Sequence, residues 1–150
     1  MLGFDNLNNV VVVADLEAGI GTLTRLGDRQ VDAVLLTVEP TPKSIEVATR
    51  AAGLAREKAL GRLLVVANRI RHVDDLAAVH AAFPDDRVVG IPDDPAIVEA
   101  DRRGLAALDL APDAPAVRAL AELADSLLRT RGPDGPQAGR AGARPPATGP

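Results

Sequence analysis

The chain has 150 residues, a formal net charge of −4 and a pI near 5.1, with no cysteine and only two aromatic residues. This composition excludes thiolate metal sites, disulfides and cysteine nucleophiles, and it disfavours nucleic-acid partners, which need positive charge and stacking surfaces. No apolar segment approaches the roughly 20 residues that span a bilayer, and the N-terminus lacks signal-peptide features. We therefore expect a cytoplasmic chain without membrane contact.

The first predicted element is a strand over about residues 9–15, which carries the run Val10–Val13 and ends at Asp15. Consecutive β-branched residues are typical of a parallel strand that is buried on both faces. Open α/β sheets bind ligands at the carboxyl ends of their strands, so Asp15 is a candidate for chemistry. Alternatively, it caps the turn that follows. No Gly-x-x-x-x-Gly-Lys-Ser/Thr phosphate loop occurs before or after this run.

Three further strands are predicted, at about residues 33–39, 62–67 and 87–91, and helical patterns separate them. This alternation indicates βα units on a parallel sheet. The helix after the second strand begins with Thr41 as N-cap and Pro42 in the first turn. Its predicted core face is Ile45, Ala48, Ala52 and Ala55.

A second helix is predicted at about residues 73–82, and Asp94 with Pro95 predicts the start of a short third one. The last predicted helix covers about residues 114–130. Its apolar face would be Val117, Leu120, Leu123, Ala124, Leu127 and Leu128. We expect a three-layer, doubly wound α/β domain over residues 1–131. The Gly-, Pro- and Ala-rich stretch 132–150 predicts a disordered tail.

Polar residues follow several of these strands: Asp15, Asn68, and the run Pro92-Asp93-Asp94. The carboxyl ends of parallel strands meet at one edge, so these residues predict a nucleotide-sized site there. Simpler interpretations stay open, because Asn68 suits a turn, and Asp93 and Asp94 suit helix caps. We expect Glu39 to be solvated.

The string Val-Ala-Asp-Leu-Glu-Ala-Gly-Ile at 13–20 resembles the Walker B and switch II segment of the MinD/ParA-type P-loop ATPases. With residues 31–34 and 38–44, it is most similar to the CooC-like branch, ATPases that help insert nickel into carbon monoxide dehydrogenase. Residues 65–69 are similar to the family's adenine-contacting segment, and residues 91–101 to its second base-binding loop. The resemblance covers about residues 5–130, the downstream half of such a protein.

This resemblance implies that ATP or ADP and Mg²⁺ are the cofactors. Asp15 would hold Mg²⁺ through water, and Glu17 to Gly19 would sense hydrolysis. Asn68 would bind the adenine, with Arg69 in place of the usual lysine beside it. Pro92, Asp93 and Asp94 would flank the base. The family's phosphate loop and its Cys-x-Cys metal motif have no counterpart in this sequence, so weak nucleotide binding is expected.

Three functions are compatible with the sequence. The leading hypothesis is a truncated or split ATPase that supplies the Mg²⁺-side acid and the adenine pocket. Its partner would be a chain that carries the phosphate loop, or a second copy, since relatives act as dimers around nucleotide; an unidentified client protein is also implied. The alternatives are a non-catalytic protein-interaction module and a full-length maturation or partitioning ATPase whose true start lies upstream of Met1.

Overall fold

The computed structural model describes residues 11–15 and 31–129. These residues belong to two compact units, which divide between Gly90 and Ile91. In chain order the elements are β1 (Ala33–Val38), α1 (Pro42–Glu57), β2 (Arg62–Ile70), α2 (Val73–Ala82), β3 (Arg87–Pro92), α3 (Pro95–Arg103), α4 (Ala107–Leu110) and α5 (Pro115–Arg129). None of the described helices is long and apolar enough to cross a membrane. The predicted tail at 132–150 lies outside the described residues.

The first unit is built on a parallel sheet with the strand order β1-β2-β3. Strands β1 and β2 pair in parallel from Ala33 opposite Arg62 to Val38 opposite Ala67. Helix α1 packs on β1 and α2 packs on β2, and the two helices also contact each other, so they cover the same face. The predicted α/β fold with a parallel sheet is thereby confirmed.

The core of this unit lies between the sheet and the two helices. Its buried members are Val38, Ala48, Ala52, Val65, Ala67, Val79 and Phe83. Leu64 and Val66 alternate with these residues along β2 and are buried as well. Because successive side chains of a strand point to opposite faces, β2 is covered on both faces. Its continuous apolar run is typical of such a strand.

Helix α1 begins where the sequence predicts. The Thr41 hydroxyl accepts a hydrogen bond from the Ser44 N–H at 3.3 Å, and Pro42 occupies the first turn. The three predicted alanines are buried, and Ile45 packs against the core. Helix α2 likewise covers the predicted residues. Here the apolar spacing and the capping residues agree with the tertiary packing, so the local prediction is confirmed.

The predicted first strand is wrong for its described part, since residues 11–15 form no strand. Val11, Val12 and Val13 are 58%, 52% and 85% exposed. A strand that is buried on both faces needs a hydrogen-bonded neighbour and covering layers, and β-branched side chains alone provide neither. Residues 9 and 10 lie outside the described part of the chain.

The second unit contains α3, α4 and α5. Helix α5 begins and ends within one residue of the prediction. Its predicted apolar face is only partly buried: Val117 and Leu123 are buried, whereas Leu120, Ala124 and Leu128 are exposed. Ala116, which was not predicted, is buried instead. The helix therefore buries a narrower stripe than its sequence offers, which corrects the expected face.

Asp94 joins the starts of two helices in the second unit. One carboxylate oxygen accepts a hydrogen bond from the Ala96 N–H of α3 at 2.9 Å. The other accepts from the Ala116 N–H of α5 at 3.1 Å. These two backbone bonds lower the pKa of Asp94 from its ordinary value of 3.8. The predicted cap on α3 is confirmed, and the same carboxylate also caps α5.

Gly61 connects α1 to β2 at a place with no room for a side chain. A Cβ atom there would lie 2.1 Å from the carbonyl oxygen of Val31. The φ angle of Gly61 is +157°, which L-residues rarely adopt. The close approach arises because the Val31 N–H donates to the Leu60 carbonyl at 2.7 Å, just before the β1–β2 pairing begins.

We expect Gly61→Ala to lower the free energy of unfolding by more than about 1 kcal/mol, because the methyl group would collide with backbone. Chemical denaturation measures this loss. Gly53→Ala in α1 is the matched control, since a Cβ there has no atom within 4 Å and alanine favours helix. A Gly61→Ala protein as stable as the parent would contradict the packing described here.

Asp94→Asn should destabilise the protein at neutral pH, because an amide has one acceptor oxygen and can cap only one of the two helices. A lowered native pKa means that Asp94 adds stability above its ordinary pKa and loses it as pH falls through the native value. The melting temperatures of parent and variant should therefore converge as the pH falls from the ordinary value of 3.8 through the lowered native pKa of Asp94.

Asp101→Asn is the control for this experiment. It removes a carboxylate from the exposed side of α3, where no cap depends on it. A difference in melting temperature between parent and Asp94→Asn that does not shrink as the pH falls below the ordinary pKa of 3.8 would contradict the capping role.

Candidate functional site

The β1–β2 register defines one edge of the sheet. Val38 opposite Ala67 is the last pair, so Glu39 and Asn68 are the next residues along the two neighbouring strands. Both are half-buried. The predicted strand 62–67 extends further than expected, since β2 continues to Ile70 and includes Asn68 and Arg69. Asn68 and Arg69 therefore belong to strand β2 rather than to a turn, and Glu39 directly follows strand β1.

Asn68 has a side chain that is available for binding. Its amide makes no hydrogen bond with any residue that the structure describes. An asparagine amide carries both donors and an acceptor. A half-buried amide of this kind gains most when a ligand fills its hydrogen-bonding positions, because burial has already removed part of its water.

Arg69 has an unusual backbone. Its φ is +59°, in the left-handed region, although the residue lies within strand β2. Non-glycine residues adopt this conformation at a cost, and they cluster at binding sites. This backbone conformation directs the guanidinium of Arg69 towards the end of β1. There, Nη1 of Arg69 lies 3.3 Å from Oε1 of Glu39.

Glu39 is the residue that the sequence analysis missed. Its carboxylate is paired with Arg69 rather than simply solvated. Its backbone N–H donates to the Ser44 hydroxyl at 3.0 Å, which ties the strand end to the start of α1. The signal that could have found it is the strand alignment, because Glu39 and Asn68 both follow apolar runs of neighbouring parallel strands.

The second unit holds the other predicted base-binding residues. Pro92 is half-buried at the end of β3, Asp93 is exposed, and Asp94 is half-buried. An open depression lies beside the start of α3, lined by Asp93, Asp94, Pro95, Val98, Glu99 and Arg102. Both oxygens of Asp94 accept backbone bonds, so this side chain shapes the loop.

Of the predicted site residues that precede β1, the structure describes only Asp15. Asp15 is exposed and lies in no strand, and Glu17 and Gly19 lie outside the described residues. Within 11–15 and 31–129, no group of three or more His, Cys, Asp or Glu side chains could hold a metal ion. The structure thus brings Glu39, Asn68 and Arg69 to one edge of the sheet, while Asp15 is exposed and lies in no described strand.

No protein-family model matches the chain. The carbon monoxide dehydrogenase accessory protein CooC of Rhodospirillum rubrum is 34% identical over 102 residues, which are 67% of this chain and 39% of CooC. An uncharacterized ATP-binding protein of Methanocaldococcus jannaschii is 39% identical over 64 residues, 43% of this chain and 25% of that protein. The chain therefore spans well under half the length of these relatives.

Solved structures of MinD share the fold. The Pyrococcus furiosus cell-division ATPase MinD aligns with a TM-score of 0.54 and 25% identity, covering 66% of this chain and 43% of MinD. Aquifex aeolicus MinD aligns at 0.52 and 26%, covering 71% and 46%. The Pyrococcus horikoshii MinD complexed with Mg-ADP aligns at 0.56 and 18%, covering 75% and 56%. The chain belongs to the MinD/ParA/CooC-like ATPase family, and it matches part of the length of these relatives.

Proposed function

We propose that this chain supplies the base-binding side of a MinD/ParA/CooC-like ATP site, with Asp15 as the Mg²⁺-side acid. Tight nucleotide binding then depends on a phosphate loop from outside these 150 residues. The observation that carries the proposal is the half-buried Asn68 amide, which lies beside the strained, paired Arg69 at the carboxyl edge of a parallel sheet. Ligand sites of open α/β folds lie at this edge.

The chemistry of Asn68 suits adenine. An asparagine amide can donate to one ring nitrogen of adenine and accept from its exocyclic amine, which makes a bidentate pair. On the N7 edge, guanine presents a carbonyl oxygen where adenine has the amine, so the same amide would leave one group unpaired. We propose that Asn68 binds this edge and therefore favours an adenine nucleotide over a guanine nucleotide.

Arg69 contributes to the same proposed site through its guanidinium group. Its guanidinium is planar and can stack on a base, and the ion pair with Glu39 restricts where that plane lies. The left-handed φ of Arg69 has a conformational cost that the fold must offset. A costly backbone with a half-exposed cation beside a free amide is the arrangement expected of a binding residue.

The residues of this chain fit the triphosphate of a nucleotide less well than they fit the base. Triphosphates are held by backbone N–H groups and a lysine of the phosphate loop, and Mg²⁺ is shared between that loop and the Walker B acid. When bound, Mg²⁺ would neutralise charge on the phosphates. Asp15 offers one exposed carboxylate, and the sequence contains no phosphate-loop motif. We therefore propose weak binding by the isolated chain.

Titration of the isotope-labelled chain with MgADP and MgATP tests this proposal by NMR. We expect the side-chain amide resonance of Asn68 to shift, with dissociation constants in the millimolar range, and GDP to cause a smaller shift. Asn68→Ala should weaken adenine-nucleotide binding about fivefold, the value of one net hydrogen bond. Asp109→Asn, an exposed change in α4, is the control.

Two results would count against the proposal. An Asn68 resonance unmoved by about 10 mM nucleotide, a concentration that corresponds to about 2.7 kcal/mol of affinity, would leave a non-catalytic interaction module as the function. Micromolar MgATP binding with turnover by residues 1–150 alone would show that no phosphate loop from outside these residues is needed.

Arg69→Gly should separate stability from binding. Glycine adopts positive φ freely, so relief of the backbone should offset the lost ion pair with Glu39, which as an exposed pair contributes under about 1 kcal/mol. We expect an unchanged or slightly raised melting temperature together with weaker nucleotide binding in the same titration. Ala59→Gly, at φ +47°, is the control that should raise stability alone. A destabilised Arg69→Gly with unchanged binding would refute the assigned role.

A further inference from the structure

The carboxylate of Glu39 has acceptor positions that its ion pair leaves unused. Oε1 lies 3.3 Å from Nη1 of Arg69, whereas Oε2 makes no hydrogen bond to any residue within the described ranges 11–15 and 31–129. An ionised carboxylate can accept about four hydrogen bonds. The side chain is 46% exposed, so a ligand at the edge of the sheet can reach it.

Two contacts determine where this carboxylate lies. The Glu39 N–H donates to the Ser44 hydroxyl at 3.0 Å, which fixes the backbone just after β1. The ion pair with Arg69 holds the carboxylate beside β2. Glu39 and Asn68 are the next residues after the last β1–β2 pair, and neighbouring strands lie about 4.8 Å apart. This spacing is less than the length of a purine, so one base can contact both side chains.

We propose that Glu39 determines which purine this site accepts, because its carboxylate accepts the second N–H of the adenine exocyclic amine. This role rests on the proposed function, in which Asn68 binds N7 and the first N–H of the same amine. Hypoxanthine and guanine carry a carbonyl oxygen at this position, so two acceptors would face each other without a proton between them. An amide can turn over and exchange its oxygen and nitrogen, whereas an ionised carboxylate only accepts. Glu39 therefore makes the stricter selection.

Glu39→Gln tests this role because it reverses the hydrogen bonding at one position. Arg69 only donates, so it holds the oxygen of the new amide and turns the NH₂ group towards the base. ADP and inosine diphosphate (IDP), whose base is hypoxanthine, are titrated into the full chain, and binding is followed by NMR at the Asn68 side chain. We expect the ratio of the IDP to the ADP dissociation constant to fall at least about fivefold in Glu39→Gln, the value of one net hydrogen bond.

Glu46→Gln is the matched control. Glu46 lies on the exposed side of α1 and pairs with Arg50 at 3.6 Å, so the substitution removes the same charge from a similar ion pair. The IDP-to-ADP ratio of this variant should equal that of the parent.

N6-methyl-ADP gives a second measurement that needs no substitution in the chain. Its methyl group replaces one hydrogen of the amine and leaves the other for Asn68. We expect the parent to bind this nucleotide at least about fivefold more weakly than ADP. Glu39→Ala removes the acceptor and leaves room for the methyl group, so it should bind the two nucleotides equally.

The outcomes distinguish the role of Glu39 from the nucleotide site itself. If ADP moves the Asn68 resonance but Glu39→Gln leaves the IDP-to-ADP ratio unchanged, the role of Glu39 is overturned and the site remains. Equal binding of ADP and N6-methyl-ADP by the parent would have the same meaning. An Asn68 resonance that no nucleotide moves would overturn the proposed function, and the role of Glu39 with it.

Discussion

The parallel pairing of β1 with β2 governs the architecture of the first unit. It sets the register that makes Glu39 and Asn68 neighbours, and it brings Val31 so close to Gly61 that no side chain fits there. The helices α1 and α2 cover one face of this pair and bury its apolar residues. A shift of one residue along β2 would turn the core side chains Val65 and Ala67 to the opposite face of the sheet and would move Asn68 away from Glu39.

The candidate site lies where the buried apolar residues of β2 give way to polar residues. Val65 and Ala67 are buried in the core, and the change to polar side chains occurs at Asn68, just beyond the last pair with β1. The backbone then enters the left-handed region at Arg69, which turns its guanidinium towards Glu39. The packed strands hold this conformation in place because they leave little freedom to relax.

In the second unit, one carboxylate caps the starts of two helices. Helices begin with backbone N–H groups that lack partners inside the helix. Asp94 satisfies such groups at the starts of both α3 and α5. A residue that resembles part of a base-binding loop is therefore engaged in joining two helices. Any role of this loop in binding falls to its backbone and to the neighbouring residues.

The starts of α1, α2, α3 and α5, the buried face of α1 and the three described strands could be predicted from the sequence, whereas the short helix α4 was not predicted. These features follow from caps, prolines and apolar spacing within a few residues. The family resemblance was also readable, because it rests on short contiguous strings. Which residues meet depends on tertiary packing: the Glu39–Arg69 pair joins residues far apart in sequence, and the second cap of Asp94 reaches α5. The valine run could not be placed from its sequence, because a strand exists only when another strand completes its hydrogen bonds.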